Sequence, residues 1–122
     1  MFERTTLKNG LRVLTNKMPY TRSLSVAIFV AAGSRYESDE NGGAFHFIEH
    51  MCFKGTERRP TPRDVSETIE GIGGLMNAST DQEQTIFWCK VARPHLHTAI
   101  DLLTDIIRGS LFDPEEMEKE RN

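Results

Sequence analysis

The stretch LMNASTDQEQTIFWCKVARPHLHTAIDLLTDIIRG, residues 75–109, carries two different periods in succession. After Gln84 the chain is rich in β-formers. Ile86, Trp88 and Lys90 alternate against Thr85, Phe87, Cys89 and Val91, the period of two that a half-buried strand needs. Two strands are predicted here, around 75–80 and 84–92. Beyond Pro94 the period lengthens: Leu96, Ala99, Ile100, Leu103, Ile106 and Ile107 fall on one side of a helix. Strands followed directly by a long amphipathic helix imply an α+β fold, with helices packed on one face of a sheet.

The flanks agree. Upstream, TTLKNGLRVLTNK contains Asn9-Gly10, a turn signal, and predicts a hairpin-like start. SLSVAIFVAAG is β-branched and aliphatic and predicts a buried strand ending near Gly33. Residues 43–53 show an apolar stripe at three-to-four spacing (Ala44, Phe47, Ile48, Met51, Cys52), a helix. Thr61-Pro62 caps another, with Val65, Ile69 and Ile72 at helical spacing, stopped by Gly71, Gly73 and Gly74. Asp113-Pro114-Glu115-Glu116 starts a last helix, acidic side chains meeting its positive end. The expected order is β-β-α-α-β-β-α-α in a mixed β-sheet, one unit over residues 1–122.

Composition excludes several classes. With 122 residues, 15 Lys+Arg and 18 Asp+Glu, the net charge is −3. No basic stripe suggests nucleic acid. The longest apolar run, Val26 to Ala32, is too short to cross a bilayer. The N-terminus is charged at once and lacks an apolar signal segment, so a cytoplasmic protein is expected. Cys52 and Cys89 match no CxxC pattern and are expected to be reduced, buried thiols. EGIGG follows a helix and precedes a strand, the wrong order for a dinucleotide loop, and predicts a turn. His95 and His97, two apart, do not converge on a helix face. Trp88 is expected in the core.

The chemistry concentrates in GAFHFIEHMCFKGT, residues 43–56. On a helix His46 and His50 lie about 40° apart, one turn from each other, and Glu49 falls on the same exposed edge. Two imidazoles so placed suit Zn²⁺, and an adjacent carboxylate suits either a ligand or a base, the base fitting better between two histidines. The bare spacing also fits a polar helix face held by local contacts. The flanking Phe45, Phe47 and Phe53 favour a metal site, because they exclude water.

The HxxEH order is that of the inverted zinc peptidases. The segments GSRYESDENGGAFHFIEHMCFKGT, EGIGGLMNASTDQEQTIFWCKV and AIDLLTDIIRGSLFDPEEMEKERN together cover most of the chain. They resemble the N-terminal part of the pitrilysin/insulinase-type zinc metallopeptidases, in particular the processing-peptidase branch. The resemblance implies a zinc endopeptidase acting on extended polypeptides. It makes His46 and His50 the metal ligands and Glu49 the general base. Glu120 becomes a carboxylate supporting the ligands, and Asn77 and Ala78 the start of a strand that holds substrate backbone. Glu83 matches a recurrent acidic position whose role stays open between turn carboxylate and support of the site. Phe45 stands where the family usually has a small residue.

The same resemblance implies that the chain is roughly half of a metallopeptidase domain. The third ligand, a glutamate, would fall beyond Asn122. The chain alone is therefore expected to be inactive and to need the rest of its domain and a homologous second half. A half-built sheet is also expected to self-associate. The alternative is a non-catalytic partner subunit or structural half of a processing-peptidase-like complex. Such subunits usually lack part of HxxEH, and this chain keeps all of it.

Overall fold

In the computed structural model, residues 2–121 are described. Residues 2–16 make the expected hairpin, β1 (Phe2–Thr6) paired antiparallel with β2 (Arg12–Asn16). Gly10 takes φ 90°, a left-handed conformation that glycine adopts without a Cβ clash, and this reverses the chain. The hairpin is a two-stranded sheet of its own. A third strand follows it, so three strands precede the first helix instead of the two expected.

The main sheet has the order β3-β5-β4, formed by Ser23–Val30, Thr85–Ala92 and Leu75–Thr80. Both pairings are antiparallel. The parallel pairing that a mixed sheet implies is not found among the described residues. A turn as short as Asp81–Gln84 can only join antiparallel neighbours. In that turn Asp81 Oδ1 accepts the backbone N–H groups of Glu83 and Gln84, both at 2.8 Å.

The alternation in β5 decides which face is covered. Thr85, Phe87, Cys89 and Val91 are buried. Across the sheet they align with Val30, Ile28, Val26 and Leu24 of β3. On the other side they align with Thr80, Ala78 and Met76 of β4. The helix α3 (Leu96–Arg108) lays Ala99, Leu102, Leu103 and Ile106 on this face, all fully buried. Leu96 and Ile100, expected on the same stripe, are exposed; the buried stripe is the narrower i, i+3, i+4, i+7 set starting at Ala99. The helix α2 (Pro62–Glu70) adds Val65 and Ile69. Its start is a capping box: Thr61 Oγ1 accepts from Asp64 N, and Asp64 Oδ2 accepts from Thr61 N, each at 3.1 Å.

Helices therefore cover one face, as expected of the α+β class. The other face carries Ala27, Phe29, Leu75, Ile86 and Trp88. Trp88 is half-buried there and is not in the core cluster, contrary to expectation. Its position is out of phase with Phe87 and Cys89, so the alternation that buries them turns it outward. Cys52 and Cys89 are buried free thiols, as expected. Burial, reinforced by the charge of Glu49, pushes the Cys52 thiol up to about 11, which leaves it unreactive. The EGIGG segment is a turn, with Gly73 at φ 78°. No helix is long and apolar enough to cross a membrane among the described residues.

Candidate metal centre

The helix α1 spans Ala44–Cys52. Gly43, at φ 85°, is its N-cap and has no side chain to satisfy the first N–H groups. Glu37 supplies the missing acceptor from outside the helix: its Oε2 takes the N–H of Phe45 at 3.3 Å. A carboxylate there also suits the positive end of the helix dipole. The far end is tied down by Ser110, whose hydroxyl donates to Met51 O at 3.1 Å. A short helix of nine residues is thus fixed at both ends, and its side chains are held in register.

His46 and His50 lie one turn apart, with ring centroids 4.3 Å from each other and planes tilted by 58°. Each of His46, Glu49 and His50 offers a ligand atom within 4.8 Å of the others'. The two histidines reach solvent; the side chain of His50 is 43% exposed. Glu49 does not lie on an exposed edge as expected: it is buried, 7% exposed. Three residues of helix set it about 60° from His46, on the side away from His50, and that side meets the sheet. There the hydroxyl of Thr80, at the end of β4, donates to Glu49 Oε2.

Glu120 is the second anchor. It lies on α4 (Pro114–Arg121), whose start is capped by Asp113 Oδ1 accepting from Glu115 N at 2.8 Å. Glu120 Oε2 meets His50 Nδ1 at 2.9 Å, and Glu120 Oε1 meets Lys54 Nζ at 2.8 Å. The hydrogen bond from Lys54, then that from His50, holds the Glu120 carboxyl below its usual range. An anionic Glu120 accepts from Nδ1–H, and in the neutral imidazole this leaves Nε2 of His50 with its lone pair free. That is the arrangement a metal-binding histidine needs, one nitrogen anchored by a carboxylate and the other open. The residues fit Zn²⁺ on this ground and because two converging imidazoles, with a carboxylate beside them, are groups that Zn²⁺ takes.

The other predicted residues fall as follows. Asn77 and Ala78 lie on β4, an edge strand with no partner on its outer side among the described residues. Asn77 Oδ1 accepts the N–H of Ala78 at 2.8 Å. Glu83 sits in the β4–β5 turn and pairs with Arg35 at 2.7 Å, both well exposed. Among the described residues this turn carboxylate makes no hydrogen bond to the cluster's side chains. Phe45 is half-buried at the first turn of α1. His95 is the N-cap of α3, and neither it nor His97 joins the cluster. Sequence reasoning missed Thr80, Lys54 and Glu37. Thr80 carried a signal: it is in phase with Met76 and Ala78 on the covered face, where a polar side chain needs a partner. Lys54 carried another, standing one turn beyond His50.

The helix brings two imidazoles and a buried carboxylate together beside an open sheet edge, in a cluster that could hold a metal ion. Comparison with known proteins names the family. The family model described as Insulinase (Peptidase family M16) matches residues 12–122, and the chain belongs to that family. A probable mitochondrial-processing peptidase subunit beta of Arabidopsis thaliana is 47% identical over 118 residues, covering 97% of this chain and 22% of the relative. An uncharacterized zinc protease of Bacillus subtilis is 39% identical over 122 residues, covering 100% of this chain and 30% of the relative. The crystal structure of a protease from Helicobacter pylori superposes with a TM-score of 0.93 at 28% identity, covering 99% of this chain and 29% of that one. The chain thus spans less than a third of the length of these relatives, and it corresponds to a part of the family's architecture.

Proposed function

We propose that these residues are the N-terminal segment of a zinc endopeptidase that hydrolyses peptide bonds in extended polypeptides. The observation that carries the reading is the convergence of His46, Glu49 and His50, with His50 anchored by Glu120. Family membership and the names of the relatives support it.

His46 and His50 would hold the metal, and Glu120 fixes which nitrogen of His50 faces it. Zinc, when bound, supplies Lewis acidity that makes water nucleophilic near neutral pH. Glu49 takes the proton of the attacking water and passes it to the leaving amine. Its burial beside Thr80 keeps it from swinging away. The open edge of β4 at Asn77 and Ala78 accepts a substrate strand by main-chain hydrogen bonds, which give affinity with little demand on sequence. To do so, the N–H of Ala78 exchanges Asn77 Oδ1 for a substrate carbonyl.

A zinc hydrolase centre takes three protein ligands and keeps one position open. With Glu49 engaged as base, His46 and His50 supply two of the three. We therefore assign the third ligand, and the homologous second half that completes the substrate chamber, to residues outside this segment. The reading as a non-catalytic partner subunit is weaker, because every HxxEH side chain is present and placed. The test compares the 122-residue chain with the full-length peptidase that contains it, on an unstructured peptide. Full-length protein should cleave, stop on chelation and recover with zinc. The 122-residue chain should not cleave. Hydrolysis by the short chain alone, or chelator-insensitive hydrolysis by the long one, contradicts the proposal.

A further inference from the structure

We infer that Thr80 orients the Glu49 carboxylate, acting as a positioning residue for proton transfer; the inference rests on the reading of Glu49 as base. A hydroxyl has one hydrogen to donate. Thr85 Oγ1 donates its own to Ala32 O at 2.6 Å. In the 3.3 Å contact between the Thr80 and Thr85 hydroxyls, Thr85 is left to accept only. The hydrogen of Thr80 is thus the one remaining in this chain of hydroxyls, and Glu49 Oε2 receives it. An ionised carboxylate only accepts, so the pairing is matched in polarity.

Glu49 is 7% exposed, and Oε1 carries no hydrogen bond among the described residues. The two oxygens are therefore unequal. Oε2 is anchored to the sheet, and Oε1 is free to take and return a proton without breaking the anchor. With both hydrogens so placed the Thr85 contact carries none, and it is the bond to Glu49 Oε2 that fixes the Thr80 hydroxyl. The location adds a second consequence. Thr80 is two residues beyond Ala78 on the same strand and the same face. One strand would then hold both the substrate backbone and the base, keeping them in fixed register. Misplacement of a catalytic group by about 1 Å costs on the order of 100-fold in rate.

The test uses Thr80→Val, which keeps the shape and removes the hydroxyl, and Thr80→Ser, which keeps the hydroxyl, in the full-length peptidase. Expected for Val is a kcat lower by about 10- to 100-fold, with KM within about twofold. Serine should recover at least half of that loss on a logarithmic scale. Zinc per chain and Tm should match the parent in both. Glu49→Gln combined with Thr80→Val should lose no more than Glu49→Gln alone, since an oriented base that is absent cannot be misoriented. Unchanged kcat in Val, equal losses in Val and Ser, or loss of kcat together with Tm would overturn the positioning role. If Glu49→Gln itself retains full turnover, the reading of the site has failed instead.

Discussion

Replacing Glu120 by alanine removes the carboxylate that fixes His50 and that answers Lys54. In the structure its two oxygens are divided, Oε2 to His50 Nδ1 at 2.9 Å and Oε1 to Lys54 Nζ at 2.8 Å. The side chain is 23% exposed, so water only partly replaces it. Without it the imidazole is free to rotate and to change tautomer, and Lys54 brings an unanswered positive charge toward the metal position. Loss of such a carboxylate partner weakens metal binding by about 10- to 100-fold. That equals roughly 1.4 to 2.8 kcal/mol. Glu120→Gln keeps an acceptor for Nδ1–H and loses the charge, so it should fall between parent and alanine. The assay is competition for zinc against a chromophoric chelator at fixed pH, on full-length peptidase. A zinc Kd within twofold of the parent in Glu120→Ala would refute the anchoring argument.

Three further outcomes concern the frame around the centre. Asp105 is 10% exposed and accepts from Arg59 Nη1 and Thr56 Oγ1, both at 2.7 Å; Asp105→Ala should cost about 2–4 kcal/mol in urea unfolding, and a loss below about 0.5 kcal/mol would contradict the network. Hydrogen bonds from Arg58, then Arg59, hold the Asp101 carboxyl down at about 2 in the folded chain; its contribution is present above the ordinary carboxyl range and disappears as pH falls toward 2, so Asp101→Asn should flatten the acid loss of stability, by under about 1 kcal/mol because the side chain is half-exposed. A Cβ on Gly33 would sit 2.5 Å from Asp81 O and 2.7 Å from Gln82 C, both backbone, so Gly33→Ala should lower Tm by several degrees, and an unchanged Tm would show that the turn shifts freely.

The elements were largely legible because each carried its own local signal. The alternation through β5, the Thr61-Pro62 cap and the Asn9-Gly10 turn are properties of a few adjacent residues, and the structure repeats them. What was not legible is what distant segments decide. The hairpin forms a sheet of its own, and no local signal in the sequence says which strands pair. Trp88 faces outward because the neighbours of Phe87 and Cys89, not its own size, choose the covered face. At the site, helix geometry alone put His46 and His50 one turn apart, and their ring centroids lie 4.3 Å from each other. The same geometry could not show that Glu49 is buried, since its partner Thr80 comes from a strand 31 residues away. The tie from Glu120 to His50 spans 70 residues. Only resemblance to the family pointed to it.

In the proposed mechanism Glu49 moves the proton while His46 and His50 hold the metal. The most direct measurement is zinc content and kcat together, on full-length peptidase carrying Glu49→Gln. Glutamine keeps the size and the hydrogen bond from Thr80, but it cannot take a proton. Zinc at the parent's stoichiometry, with kcat lower by at least about 100-fold, is the predicted result. Turnover within a few-fold of the parent, at full zinc occupancy, would contradict the assignment. Loss of zinc along with turnover would make Glu49 a ligand and not the base.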